Sequence, residues 1–127
     1  MIELSASIVD STQAPVRVEQ PIDVRHLARM TLGDSSLERE VLQLFDRQAE
    51  MLLARMQQAA PAAAAALAHT LKGSSSGIGA WKVARTAEAV EFAATRKGAP
   101  DLGAAIGYLG TAITDTRAAI AELLRAN

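Results

Sequence analysis

One short stretch of the chain, residues 69–73, combines residue types that can do chemistry together. It reads His-Thr-Leu-Lys-Gly. A neutral imidazole is nucleophilic near pH 7, because the pKa of an unperturbed histidine is about 6.5. A lysine three residues further along a helix lies one turn away on the same face and can reach phosphate oxygens as a point charge. Phosphoryl transfer requires mainly positioning and charge stabilisation. The stretch therefore suits a phosphoryl carrier, with His69 as acceptor and Lys72 stabilising the phosphate charge.

The helical period predicts that His69 faces solvent. At about 100° per residue, Leu67 and Leu71 lie on a ridge roughly 180° from His69. Ile78 falls on the same ridge. Because this apolar ridge must form the core face, the imidazole points away from the core.

The surface around His69 is made of small residues, apart from Lys72. Those within about 60° on the helical projection are Ala62, Ala65, Ala66, Gly73 and Ser76. A glycine inside a helix costs about 1 kcal/mol relative to alanine, and close approach of a partner would compensate for that cost. We interpret these five residues as a partner-docking surface. The alternative is an idle exposed histidine beside an accidental alanine-rich face, which the combination with Gly73 and Lys72 disfavours.

Other chemistries have little support in the sequence. The chain has no cysteine, and its only other histidine, His26, stands in a different segment. Neither a metal-binding constellation nor a serine triad is evident. The glycines of residues 73–79 follow a lysine instead of preceding one, and no strand leads into them, so they do not form a phosphate loop. We expect no metal and no cofactor of the protein's own.

Composition indicates one all-α domain. The chain has 127 residues, 13 Lys+Arg, 14 Asp+Glu and only 3% aromatic residues. Alanine, the best helix former and a poor strand former, is the most frequent residue. The balanced charge disfavours nucleic-acid binding, and no apolar run is long enough for a membrane span. The N-terminus has no basic segment followed by an apolar stretch, so no secretory signal is evident. We expect a soluble, cytoplasmic, monomeric protein.

The pattern of breakers and apolar residues predicts four long antiparallel helices and one short N-terminal helix. Residues 1–20 lack a helical period and are expected to be an extended or disordered arm, whereas residues 21–127 form the bundle. The short helix begins at Pro21, carries an apolar face and stops at Gly33. Its apolar residues are Ile22, Leu27 and Met30.

The second helix begins at Ser35 and Glu38, which have capping-box spacing. Its expected core stripe is Leu37, Val41, Leu44, Phe45, Leu52 and Met56.

Three further helices follow. The third begins at Pro61 and is closed by Gly77 and Gly79. The fourth runs from about Ala80 to Lys97, with inward residues Val83, Ala87, Val90 and Ala94. A break at Gly98, Ala99 and Pro100 precedes the fifth, which Asp101 caps. Its seam alternates steps of four and three: Leu102, Ile106, Leu109, Ile113, Thr116, Ile120 and Leu123.

A hairpin of the third and fourth helices, turning near residue 80, places one more residue at the site. Reflecting position 69 through 80 gives 91, so Glu91 is expected level with His69. A carboxylate in contact with the ring would orient one imidazole nitrogen and leave the other free to attack. The alternative is an ordinary exposed glutamate.

The segment from His69 to Ser75, followed by Gly79 and Ala80, resembles the signature of histidine phosphotransfer domains. The resemblance extends more loosely over residues 22 to 125, and Val83 stands where many members have leucine. It implies a four-helix bundle whose exposed histidine is phosphorylated by the aspartyl phosphate of a receiver domain and then passes the group to a second receiver. The partners implied are receiver domains of response regulators or of a hybrid sensor kinase, and the receiver would supply Mg²⁺.

Two other readings compete with this one. The bundle could be a docking module that binds through the small-residue face without chemistry, although docking alone requires neither His69 nor Lys72. It could also be the dimerisation module of a sensor kinase, but the chain contains no nucleotide-binding segment. We therefore expect a phosphocarrier without autokinase activity.

Overall fold

The computed structural model describes residues 19–96 and 101–126. Within these ranges, 86% of the residues are helical and none lies in a strand, which confirms the all-α class. The helices are α1 (Val24–Met30), α2 (Ser35–Gln58), α3 (Pro61–Ile78), α4 (Trp81–Thr95) and α5 (Leu102–Ala126). The expected arm lies outside the described residues except for positions 19 and 20, as do Lys97 and the break at 98–100.

The four long helices form a closed ring in the order α2, α3, α4, α5, with α1 packed against α3. Polar contacts give the helix directions. Arg39 of α2 donates to the carbonyl of Leu124 on α5 (3.0 Å), and Asp46 accepts from Arg117 (2.8 Å). As the position rises along α2, its partner falls along α5, so the two helices are antiparallel.

Small side chains allow the helices to approach closely at the centre of the bundle. Alanines with at most 1% exposure occur on all four long helices and beside them: Ala49, Ala64, Ala68, Ala80, Ala87 and Ala112. The larger buried side chains include Leu42, Met56, Leu71, Leu109 and Ile120. Protein interiors pack at crystal-like density, so small side chains at these positions permit close packing of neighbouring helices. None of the described helices combines the length and hydropathy that a bilayer span requires.

The core stripe of α2 differs in part from the prediction. Phe45, Leu52 and Met56 are buried as expected, together with Leu42 and Ala49. The prediction is wrong for Leu37 and Leu44, whose exposures are 41% and 59%. Leu44 lies two residues, or about 200°, from Leu42, so both cannot face the core. Steps of three and four residues are compatible with a stripe through Leu44 or with one through Leu42. In the folded bundle, the stripe through Leu42 packs against the core.

The starts of α1 and α2 also correct the prediction. α1 begins after Asp23, whose carboxylate accepts the backbone N–H of His26 (3.1 Å), so Pro21 lies before the helix. α2 is capped by Asp34, which accepts from the N–H of Leu37 (3.0 Å), and Ser35 is already helical. In both cases an aspartate is the N-cap, since its side-chain oxygen satisfies a free N–H of the first turn. Met30, expected on the apolar face of α1, is exposed.

The later helices follow the predicted pattern closely, except that Gly77, expected to close α3 with Gly79, is still helical. Pro61 is the first residue of α3, and the buried face of α4 contains Val83, Ala87 and Val90, whereas Ala94 is half-buried. Asp101 accepts the N–H of Gly103 (2.9 Å) and so caps α5 as expected. The seam of α5 is centred on Leu109, Ile113, Thr116 and Ile120, while its outer members Leu102, Ile106 and Leu123 are partly buried against the core.

The turn from α3 to α4 is held by the segment that leads into α1. Gly79 ends α3 with φ 82°, in the left-handed region that glycine tolerates. A Cβ at this position would lie 3.0 Å from the carbonyl oxygen of Asp23, so close approach also requires glycine. The N–H of Asp23 donates to the carbonyl of Gly79 (2.9 Å), and the indole N–H of Trp81 donates to the Asp23 carboxylate (3.0 Å). Asp23 therefore joins α1 to this turn.

We expect stability to fall in acid partly through Asp23. The hydrogen bonds from Trp81 and from the backbone of His26 hold the pKa of the Asp23 carboxyl below its ordinary value. Its contribution is therefore complete above the unfolded pKa, about 3.9, and is lost as pH falls through the lower folded pKa. Asp23→Asn should lower the melting temperature at pH 7 by roughly 2–5 °C, with the deficit shrinking towards pH 3.

Thermal melts monitored by circular dichroism at pH 7, 5, 4 and 3 measure this effect. The control is Asp115→Asn, the same change at an exposed position of α5. A deficit in Asp23→Asn that is equally large at every pH would contradict the prediction, because it would show that charge plays no part.

Candidate functional site

Helix α3 presents His69 on the outer surface of the bundle. Ala68 and Leu71 on either side are fully buried, whereas the side chain of His69 is 67% exposed. The predicted outward orientation is thus present. Pro61 at the first helical position and Gly79 at the C-cap bound a continuous helix, so the imidazole stands on a rigid element.

Glu91 on α4 contacts the imidazole directly. Its Oε2 lies 3.0 Å from Nδ1 of His69, and the structure therefore shows the juxtaposition that the hairpin argument predicted. A carboxylate can only accept a hydrogen bond, so Nδ1 carries the proton in this pair. The lone pair of the neutral ring is then on Nε2. Glu91 is itself the more buried partner, with 28% of its side chain exposed.

Lys72 lies between two carboxylates of α4. Its Nζ is 3.7 Å from Oε2 of Glu88 and 4.0 Å from Oε1 of Glu91. The Oε1 atom of Glu91 is buried and has no hydrogen-bond partner among the described residues. The pairs His69–Glu91 and Lys72–Glu88 also show that α3 and α4 are antiparallel. As the position rises from 69 to 72 on α3, its partner falls from 91 to 88 on α4.

Most of the predicted docking residues surround His69 on the surface. Ala62, Ala66 and Gly73 are exposed, and Ser76 is half-buried. The prediction that Ala65 is part of the docking surface is wrong, because this residue is only 8% exposed. It lies about 40° from His69 in the direction of the fully buried Ala68, and so it underlies the surface instead of forming it.

Gly73 has no role inside the molecule that would require a glycine. A Cβ at this position would meet nothing within 4 Å. The helix would accept a larger residue here, and alanine would stabilise it by about 1 kcal/mol. The missing side chain therefore leaves open surface beside the imidazole, which is what close approach of a partner needs.

Two residues at the edge of the site were not predicted. Glu88 was missed although the same reflection through residue 80 pairs it with Lys72. Glu19 was missed because it comes from a segment without a periodic pattern. Arg85 binds the Glu19 carboxylate (3.0 Å) and lowers its pKa. Glu19, Lys72 and Glu88 line one shallow groove between α3 and α4.

His26 has no chemical role in the His69 site. Its ring packs edge-on against Trp81, with centroids 4.8 Å apart. Within residues 19–96 and 101–126, no three His, Asp or Glu side chains lie close enough together to form a metal-binding group.

Comparison with known proteins agrees with this geometry. A family model described as the Hpt domain matches residues 40–124, more than half of the chain and all of the His69 site. Neither the search of curated proteins nor the search of solved structures found a match. The matched segment contains α3, α4, most of α2 and nearly all of α5. The chain therefore belongs to the Hpt domain family, the histidine phosphotransfer carriers of two-component phosphorelays that interact with receiver domains.

Proposed function

We propose that His69 accepts a phosphoryl group from the aspartyl phosphate of one receiver domain and passes it to the aspartate of another. The observation that carries the proposal is the 3.0 Å contact between Nδ1 of His69 and Glu91. The contact supports a proton on Nδ1, and in the proposal Nε2 of the exposed ring is the nucleophile.

The transfer step balances with the groups present. Nε2 attacks phosphorus, the N–P bond forms, and the P–O bond to the receiver's aspartate breaks. The electron pair of that bond leaves with the aspartate as carboxylate. The imidazole ring gains one positive charge while its proton stays on Nδ1, and the Glu91 carboxylate stabilises that charge through the hydrogen bond. Onward transfer is the same step in reverse, with a second receiver's aspartate as nucleophile.

Lys72 supplies a cation close to the phosphoryl oxygens in the proposal. It lies one helical turn from His69 and is within 4.0 Å of Glu91, which contacts the ring. Because transfer through a loose transition state depends on charge stabilisation, a nearby ammonium lowers the barrier to the extent that it interacts more strongly in the transition state. The receiver would contribute Mg²⁺ and most of the remaining catalytic groups.

The receiver would dock on the small-residue surface of Ala62, Ala66, Gly73 and Ser76. Docking without chemistry, the alternative function, would use the same surface. The hydrogen-bonded imidazole and the adjacent lysine favour transfer over docking alone. Absence of autokinase activity, a monomeric state and a cytoplasmic location stay predictions.

Replacing the acceptor should abolish labelling without affecting stability. We expect His69→Gln to take no phosphate from a phosphorylated receiver, because it lacks the nucleophile. Its melting temperature should change little, since the side chain is outside the core. The matched control is His26→Gln, which removes the only other histidine and should still be labelled. Acid-labile label on His69→Gln would contradict the assignment, as would an unlabelled wild-type protein.

Gly73→Gln should separate stability from transfer. A long side chain within one turn of the imidazole obstructs the receiver, so transfer should slow by at least about tenfold, while the helix becomes as stable or more stable. Gly107→Gln is the control, because Gly107 is also an exposed helical glycine with nothing within 4 Å of a Cβ, but lies on α5. Rapid-quench transfer and thermal melts measure the two effects. Equal transfer rates in the two variants would show that the open surface at Gly73 is not used.

Lys72→Ala should slow phosphoryl acceptance without preventing it. We expect a decrease of roughly fivefold to tenfold at low salt, at and above the upper end for a surface ion pair because the phosphoryl group carries up to two negative charges, and a smaller decrease at high salt. His69 remains as nucleophile, so labelling still reaches completion. Stopped-flow transfer at two ionic strengths measures the effect. Complete loss would make Lys72 essential, and an unchanged rate at both salts would exclude the proposed role.

A further inference from the structure

Glu88 is a charged residue beside Lys72 to which the proposed reaction assigns no role. It is 67% exposed, does not contact the imidazole, and approaches Lys72 more closely than Glu91 does. It lies one turn before Glu91 on α4, so its position is set by the same register that pairs Glu91 with His69. A carboxylate here adds negative charge beside the place where a phosphoryl group with up to two negative charges would arrive.

The geometry around Lys72 shows an ammonium held loosely. At 3.7 Å from Glu88 and 4.0 Å from Glu91, Nζ is within ion-pair range of both carboxylates. Neither distance is short enough for a hydrogen bond. The lysine therefore has attraction from two sides without a tight bond to either, and it can move to a new anion at small cost.

We propose that Glu88 is a positioning residue that competes with the phosphoryl group for Lys72 and thereby weakens the retention of phosphate on His69. The inference rests on the proposed function and deepens it. When His69 is unmodified, Glu88 holds Lys72. When His69 is phosphorylated, the phosphoryl oxygens must draw Lys72 away from Glu88, and phosphohistidine is less stable by the energy of the lost pair.

The consequence concerns the equilibrium of transfer. A carrier must release its phosphoryl group as readily as it accepts it, so strong stabilisation of phosphohistidine would trap the group. Glu88 opposes such trapping without touching the ring. Its removal should shift the equilibrium between receiver aspartyl phosphate and phosphohistidine towards His69.

The test is the transfer equilibrium in Glu88→Gln. With a phosphorylated receiver at low salt, the ratio of labelled protein to labelled receiver should rise by about two- to fivefold, the range for a surface ion pair, and the gain should shrink at high salt. Glu50→Gln is the matched control. Glu50 is 65% exposed and lies 3.4 Å from Arg117, so the change in charge and pairing is equivalent, but it occurs between α2 and α5.

A double-mutant cycle identifies the route of the effect. If Glu88 acts through Lys72, Glu88→Gln should give almost no gain in a Lys72→Ala background. A full gain in that background would overturn the proposal, because it would show direct repulsion by Glu88. A reduced equilibrium ratio in Glu88→Gln would also overturn it, since Lys72 would then have needed Glu88 for a productive position. An unchanged ratio, or an equal gain in Glu50→Gln, would do the same.

A second measurement tests the competition without any receiver. Phosphoramidate phosphorylates exposed histidines chemically, and ³¹P NMR follows the titration of the phosphoryl group in the labelled full chain. Glu88→Gln should lower the pKa of the phosphoryl group, because Lys72 then pairs with it more fully. An identical titration in wild type and variant would overturn the proposal even if receivers do not transfer phosphate. Failure of receiver transfer alone would instead count against the proposed function.

Discussion

The antiparallel register of α3 and α4 is the constraint on which the site depends. A two-residue connection, Gly79 and Ala80, joins the helices. Gly79 takes a left-handed conformation and lies against the backbone of Asp23, which leaves no room for a side chain. With the turn fixed in this way, His69 is level with Glu91 and Lys72 is level with Glu88. A shift of one residue would rotate each partner by about 100° around its helix and separate both pairs.

The site contains opposing electrostatic effects within a few ångströms. In the proposed transfer, Glu91 orients the imidazole and stabilises the positive charge that develops on the ring, whereas Lys72 attracts the incoming phosphoryl group. Glu88 draws Lys72 in the other direction. His69 and Glu88 are largely exposed, and Lys72 and Glu91 are partly exposed. Water therefore screens the contacts of Glu88 and Lys72 and keeps each effect small. Such a balance suits a carrier, which binds its phosphoryl group covalently yet releases it.

The sequence predicted the arrangement of residues in the candidate site more accurately than it predicted the packing of the helices. His69, Lys72 and Gly73 follow from residue types at helical spacing, and Glu91 from a reflection through the turn, because hairpin geometry is nearly fixed once the turn is known. The inward face of α2 was partly wrong because Leu37 and Leu44 fit the same spacing as the true stripe. The burial of Ala65 depends on the packing of α3 against its neighbours, which a single-helix projection does not contain. Glu88 could have been found by applying the reflection to Lys72.

The most direct test of the account is to identify the phosphorylated atom. Protein labelled with ¹⁵N-histidine and phosphorylated by a receiver can be examined for ¹⁵N–³¹P coupling by NMR at neutral to alkaline pH, where phosphohistidine persists. The account predicts one phosphorylated ring, His69, with coupling to Nε2 and with the proton remaining on Nδ1. Coupling to Nδ1, or phosphate on any other residue, would contradict it, because the Glu91 contact would then not select the nucleophile.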